Sequence, residues 1–181
     1  RIRIHVYDHP LTDAKSGPRP VLVNWLGSGF LVPALESDAA FCSTVSKSAG
    51  MILVDADYRK APADPFPAAT DNAFDILQWV CGQPEKFDVN EIFLSGFSAG
   101  GNIALVTSAA SSQSQSSTAA IRGVIAFYRV TRQHKPPEEK KALSPIRPIQ
   151  PIVANFIVEC YIPVSIRKDD PHISPTFTDV D

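Results

Sequence analysis

The pattern of polar and apolar residues along this chain predicts a series of β-strands. Residues 1–7 alternate between the two kinds of side chain, which is the period-two pattern of a half-buried strand. Short apolar runs at 21–25, 51–54, 92–94 and 123–128 predict further strands.

Stretches with helical spacing lie between these runs. Apolar residues recur at helical intervals over 38–49, 69–80 and 152–161, and a run of small residues over 103–110 is also helix-like. Strands that alternate with helices indicate a mostly parallel sheet flanked by helices, so the predicted fold class is α/β.

The character of the chain changes after residue 128. Residues 129–151 are rich in Pro, Lys and Arg and are predicted to lie outside the sheet. We therefore predict one domain over 1–181, in which 1–128 form the core sheet and helices. Residues 129–162 would form a lid-like insertion, and 163–181 a return segment.

Composition narrows the function classes. At 181 residues the chain is long enough for one domain with a substantial core, and its formal net charge of −2 gives no long-range attraction to nucleic acid or anionic membrane. No apolar run approaches the ~20 residues that span a bilayer. A signal-peptide pattern is not visible either, and the compartment stays open, with the cytoplasm as the first expectation.

The cysteines argue against a metal site. Cys42, Cys81 and Cys160 are widely separated and lack the spacing of zinc ligands, so buried free thiols are predicted. Neither a metal nor an organic cofactor is expected.

The strongest chemical signal is the segment Gly96–Asn102, which follows an apolar run and precedes a helix-like one. A serine at the tip of such a turn is the context of a G-x-S-x-G nucleophile elbow. Gly96 and Gly100 would let strand and helix pass close together because they lack Cβ. Ser98 would then be exposed at the sheet edge, although a plain glycine-rich turn remains the alternative.

Four motifs in a fixed order resemble the hormone-sensitive-lipase-like esterases, a family with the α/β-hydrolase fold. Trp25–Phe30 is similar to the family's His-Gly-Gly-Gly-Phe segment, and Gly96–Asn102 to its Gly-Asp-Ser-Ala-Gly-Gly-Asn elbow. Asp57–Pro62, followed by Phe66–Ala69, resembles its Tyr-Arg-Leu-Ala-Pro and Phe-Pro-Ala-Ala signature. Asp170–Pro175 matches the Asp-Pro-x-x-Ser-Pro segment that precedes the family's catalytic aspartate.

The resemblance implies roles for particular residues. Ser98 would be the nucleophile of a carboxylic ester hydrolase, and the N–H groups of Ser28, Gly29 and Ala99 would form the oxyanion hole. The implied partner is a small-molecule ester, with a homodimer left open. Leu26 stands where the family usually has histidine, which puts the geometry of this loop in doubt more than the chemistry.

The resemblance does not supply the rest of a triad. The family's catalytic Asp and His lie beyond the Asp170–Pro175 segment, and neither role can be carried onto a residue up to Asp181. The resemblance therefore implies that 1–181 is an incomplete α/β-hydrolase domain that lacks the C-terminal part of the fold. His134 is interpreted as a solvated loop residue. His172, preceded by Asp169 and Asp170, keeps the required order and is the alternative base, although neighbours on one loop rarely form a triad.

Three functions therefore stay open. The first is an esterase that uses a Ser98 acyl-enzyme, inactive or weak in this chain for lack of the triad Asp and His. The second is a non-catalytic ligand-binding protein on the same scaffold, as in the plant gibberellin receptors that resemble this family. The third is a truncated fragment without independent function.

Overall fold

The structure is a computed structural model that describes residues 1–9, 17–113, 119–133, 135–136, 139 and 149–178. The strands are β1 (Ile4–Tyr7), β2 (Arg19–Trp25), β3 (Ile52–Ala56), β4 (Phe87–Phe97) and β5 (Ile121–Phe127). The helices are α1 (Ala39–Ala49), α2 (Ala68–Cys81), α3 (Ala99–Gln113) and α4 (Pro151–Tyr161), and a short 3₁₀ turn spans Pro175–Phe177.

The five strands form one sheet in the order β1-β3-β2-β4-β5. Strand β1 runs antiparallel to β3, and the other neighbours are parallel. The predicted α/β class with a mostly parallel sheet is therefore confirmed. Because β2 and β4 are adjacent and parallel, the loops that follow Trp25 and Phe97 leave the same edge of the sheet.

Helices cover both faces of the central strands. Along β2, Val21, Val23 and Trp25 belong to the large core on one face, whereas Leu22 contacts a smaller cluster with Cys42 of α1 on the other. Helices α2 and α3 supply the large core, and α1 covers the opposite face. Burial on both faces explains why β2 and β3 have continuous apolar sequences.

The predicted elements agree with the structure except near their ends. Helix α1 begins at Ala39, one residue later than predicted, and its N-cap residue Asp38 makes no side-chain capping bond. The helix ends at Ala49 and is followed by Gly50 in a left-handed conformation (φ 66°). Strand β4 begins at Phe87, well before the predicted apolar run, because Lys86 and Phe87 already lie beside Arg19 of β2. No helix among the described residues is long and apolar enough to cross a membrane.

None of the three cysteines forms a disulfide within the described residues, and only Cys42 of the three is buried. Cys81 and Cys160 are partly exposed, because each lies near the end of its helix rather than in the middle of a packed face. The prediction of three buried thiols was wrong for these two.

Candidate active site

Strand β4 and helix α3 meet in a sharp turn with Ser98 at its tip. Ser98 has a positive φ of 50°, which is uncommon for a residue with a side chain and is a form of local strain often found at functional sites. Its N–H donates to the carbonyl of Phe127 at 2.9 Å, and its carbonyl accepts from the N–H of Asn102 at 3.1 Å. These bonds hold the strained conformation between β5 and the first turn of α3.

Two glycines make this turn sterically feasible, as the motif predicted. A Cβ on Gly96 would lie 2.3 Å from the carbonyl carbon of Gly100, so the strand and the helix approach too closely for a side chain. A Cβ on Gly100 would lie only 1.9 Å from the carbonyl oxygen of Trp25. The helix start is therefore pressed against the end of β2, next to the loop that follows it.

That loop is held by a buried tyrosine. The Tyr58 hydroxyl donates to the carbonyl of Leu26 at 3.0 Å and lies 2.6 Å from Ser28 Oγ. Since the only hydroxyl hydrogen of Tyr58 is used on Leu26, Ser28 Oγ donates to the tyrosine oxygen. Burial raises the pKa of Tyr58 well above its ordinary value, so the phenol keeps its proton at neutral pH.

The same loop exposes backbone donors. Gly29 and Phe30 both have positive φ, 58° and 62°, which turns the chain so that the carbonyl of Ser28 accepts from the N–H groups further along the loop. Among the described residues, nothing accepts a hydrogen bond from the N–H groups of Ser28 and Gly29. Ala99, at the N-terminus of α3, is buried beside the same pocket.

Helix α4 forms the wall opposite the loop. The ring of Tyr161 stacks on Phe30 with centroids 3.7 Å apart, and Phe66 donates its N–H to the carbonyl of Tyr161 at 2.8 Å. The side chain of Ile157 lies close to Gly29, where an added Cβ would be 3.2 Å from it. This helix begins after a segment that is not described, so the predicted boundaries of a lid over 129–162 remain a prediction.

Asn102 ties the return segment to the elbow. Its buried side-chain amide donates to the carbonyl of Val130 at 2.6 Å and to that of Ile173 at 2.9 Å. Ser174, also fully buried, accepts from the N–H of Gln133 at 2.8 Å. The segment that resembled Asp-Pro-x-x-Ser-Pro thus anchors the loop after β5 rather than entering the pocket itself.

The loops enclose a pocket of about 560 Å³. Ser28, Gly29, Ser98 and Ala99 all line it, so the structure brings together the four residues proposed from the motifs. Further apolar lining comes from α4, and charged lining comes from the loop after β5. A volume of this size suits a small organic molecule.

His172 lies elsewhere. Its ring Nδ1 is 3.1 Å from Asp170 Oδ1, and its N–H donates to the same carboxylate oxygen at 2.8 Å, so the two residues form a local turn. The side chain is about half exposed, and His172 is not among the described residues that line the pocket. His134, interpreted from the sequence as a loop residue, lies outside the described residues.

Sequence reasoning missed two residues that hold the site together. Tyr58 was noted only as part of a motif, and Asn102 only as the last residue of the elbow. Each is a buried polar side chain, and buried polar groups require partners. Their partners come from distant parts of the chain, so local patterns could not identify them.

Comparison with known proteins decides the family. The sequence profile of the alpha/beta hydrolase fold family Abhydrolase_3 matches residues 22–181. The chain belongs to this family. Its relatives include carboxylesterases, as the motifs led us to expect, and the family is one of serine-hydrolase-type enzymes.

Curated relatives of the chain include esterases. Carboxylesterase 20 of Arabidopsis thaliana is 30% identical over 169 residues, which cover 88% of this chain and 52% of that protein. A versiconal hemiacetal acetate esterase of Dothistroma septosporum is 25% identical over 169 residues, covering 90% and 51%.

Solved structures agree. A hyperthermophilic esterase from the archaeon Pyrobaculum calidifontis superposes with a TM-score of 0.84 at 26% identity, covering 98% of this chain and 56% of that one. The thermostable carboxylesterase EstE1, cloned from a metagenomic library, superposes with a TM-score of 0.82 at 25% identity, covering 98% and 60%. The chain therefore spans about half the length of the relatives that it matches.

Proposed function

We propose that this chain carries the nucleophile and the oxyanion hole of a carboxylic ester hydrolase. The observation that carries the proposal is the arrangement around one pocket: Ser98 at a strained tip, the N-terminus of α3, and the loop of Ser28 and Gly29. The esterases among its relatives support the same reaction class.

Each residue would act at one step. Ser98 Oγ would attack the ester carbonyl carbon, and the carbonyl oxygen would take the negative charge. The N–H groups of Ser28, Gly29 and Ala99 would donate to that oxygen, and one such donor is typically worth about 2.7–4 kcal/mol. Collapse would expel the alcohol and leave an acyl-enzyme, which water would then hydrolyse.

The attack needs a base to remove the proton of Ser98. Among the described residues that line the pocket there is no histidine, aspartate or glutamate. Because the relatives are about twice as long as the chain, we propose that the base acts from the half of their fold that has no counterpart here. Without it, only residual catalysis from the oxyanion hole and from binding would remain, orders of magnitude weaker.

Residues 129–162 are proposed to act as the lid that shapes an acyl pocket. Two observations support this role: α4 places Ile157 and Val158 on the pocket wall, and the stack of Tyr161 on Phe30 joins α4 to the oxyanion loop.

The test uses a fluorophosphonate probe, which labels an activated serine, and hydrolysis of a 4-nitrophenyl ester. In a version extended to the full length of the relatives, which would supply the base, we expect labelling that disappears in Ser98→Ala and persists in Ser48→Ala, a matched change on the exposed surface of α1. Labelling of this chain alone should be far slower. Labelling that survives in Ser98→Ala would contradict the proposal.

A ligand-binding protein on the same scaffold remains the second candidate. It is favoured by one observation, the absence of a general base among the described lining residues. Tight binding of an ester without labelling or turnover, in this chain and in a version extended to the full length of the relatives, would favour the binder.

A further inference from the structure

The pocket beside Ser98 is positively charged on one side. Arg129, Arg132 and Lys135 line it, and its described lining contains no acidic side chain. None of the three cations forms an ion pair with another described residue. The described lining therefore carries three positive charges next to the proposed nucleophile.

The backbone that bears the two arginines is fixed in place. Val130, next to Arg129, has its carbonyl bound by the buried amide of Asn102 at 2.6 Å. Gln133, next to Arg132, is only 5% exposed, and its N–H donates to a buried serine hydroxyl at 2.8 Å. The arginines thus project from an anchored loop, and only their side chains need to adjust to a ligand.

The N-terminus of helix α3 adds a partial positive charge beside these side chains. Ala99, the first residue of α3, also lines the pocket, and the N-terminus of a 15-residue helix carries a partial positive charge. An added Cβ on Gly101, in the first turn of α3, would lie 3.1 Å from Cβ of Arg129, so this arginine starts directly beside that helix end.

The remaining wall is apolar. Ile149, Ala154, Ile157 and Val158 line the pocket from the region of α4. A ligand that suits both walls has a hydrocarbon part and a negatively charged group.

We propose that the substrate is an ester that carries an anionic group, a carboxylate or a phosphate, in addition to the ester that Ser98 attacks. This inference rests on the proposed esterase function. Arg129, Arg132 and Lys135 would attract the anion, and the apolar wall would hold the hydrocarbon part, so that the neutral ester of the same shape is the poorer ligand.

The first test measures binding and does not depend on turnover. Hexananilide is the neutral amide analogue of an ester, and two anionic analogues match it: the monoanilide of adipic acid has the carboxylate on the acyl side, and 3-hexanamidobenzoate has it on the other. Isothermal titration calorimetry on the full chain, wild type and Ser98→Ala, would give the three dissociation constants.

We expect at least one anionic analogue to bind about tenfold more tightly than hexananilide, because each partly exposed charge pair contributes modestly. The preference should shrink in ~1 M salt, where charges are screened within about 3 Å. It should also disappear in the triple variant Arg129→Gln/Arg132→Gln/Lys135→Gln and persist in Lys47→Gln, which removes a charge from the exposed surface of α1. Equal or weaker binding of both anionic analogues would overturn the proposal, as would a preference that survives in the triple variant.

A second test separates this inference from the esterase proposal. Mono-4-nitrophenyl adipate and 4-nitrophenyl hexanoate differ only in a terminal carboxylate. A preference for the anionic analogues in binding, without Ser98-dependent hydrolysis of either ester by a version extended to the full length of the relatives, would refute the esterase proposal and leave the anion site standing. Ser98-dependent hydrolysis of both esters with equal kcat/KM, and no difference in binding, would refute the anion site alone.

Discussion

The tyrosine beneath the loop of Ser28 and Gly29 offers the sharpest test of how the candidate site is built. Tyr58 is 3% exposed, and its hydroxyl joins the carbonyl of Leu26 to the hydroxyl of Ser28. Tyr58→Phe keeps the ring and removes both hydrogen bonds. The Leu26 carbonyl then loses this buried partner, whereas the Ser28 hydroxyl can still rotate.

The expected loss of stability in Tyr58→Phe follows from the Leu26 carbonyl and the Ser28 hydroxyl, which both lose a hydrogen-bond partner. A buried polar group left without a partner costs about 1–3 kcal/mol, so we expect the free energy of unfolding to fall by about 2–3 kcal/mol. The loop would also relax away from its position beside Ser98. Loss of one oxyanion donor lowers catalysis by about 10²–10³-fold, and a partial displacement should slow fluorophosphonate labelling by about tenfold or more.

Tyr161→Phe is the matched control. Tyr161 is also buried in this region, but within the described part of the chain its hydroxyl has no hydrogen-bond partner. Removing it should change the free energy of unfolding by less than about 0.5 kcal/mol or raise it, and labelling should be unaffected. The free energy of unfolding from urea denaturation and the rate of labelling are compared between the two variants and the wild type. Equal losses in the two variants, or no loss in Tyr58→Phe, would refute the assigned role of the Tyr58 hydroxyl.

Two further predictions concern the effect of substitutions at the buried positions Gly100 and Asp55 on stability. Gly100→Ala places a Cβ 1.9 Å from the Trp25 carbonyl oxygen, so we expect a loss of about 3 kcal/mol or more in urea denaturation. Asp55→Asn should raise stability at pH 7 by about 1–3 kcal/mol and leave it unchanged near pH 4. Burial raises the pKa of Asp55, and the negative charge of Asp38 raises it further, although the hydrogen bond from Asn24 lowers it. The protonated form is therefore favoured in the folded chain, so the folded chain loses stability as pH rises above the ordinary carboxyl pKa.

Matched variants separate these effects from general ones. Gly82→Ala puts a Cβ no closer than 3.4 Å to any neighbour at a φ of −74°, and it should be tolerated. Glu85→Gln removes an exposed carboxylate and should show no pH-dependent gain. A gain in Asp55→Asn that is equal at both pH values, or a Gly100→Ala variant as stable as Gly82→Ala, would contradict the two predictions.

Much of the fold could be predicted because the signals are local. Continuous apolar runs became buried strands, and helical spacing between them became helices α1, α2 and α4. The elbow could also be predicted from its local motif. Gly96 is required by Gly100, four residues away, although Gly100 itself is required by the carbonyl of Trp25 in the adjacent strand. Helix and strand ends were less predictable, because Phe87 joins β4 through its pairing with Arg19.

The sequence by itself therefore determined the sheet, its helices and the serine at the turn, because each depends on patterns within a few residues. The tertiary structure alone decided what surrounds that serine. Tyr58 reaches a carbonyl 32 positions away, and Asn102 reaches one 71 positions away. The arginines after β5 face the pocket only because such long-range bonds fix their loop. Pairings of this kind depend on how the strands are ordered in space, and no local pattern records that order.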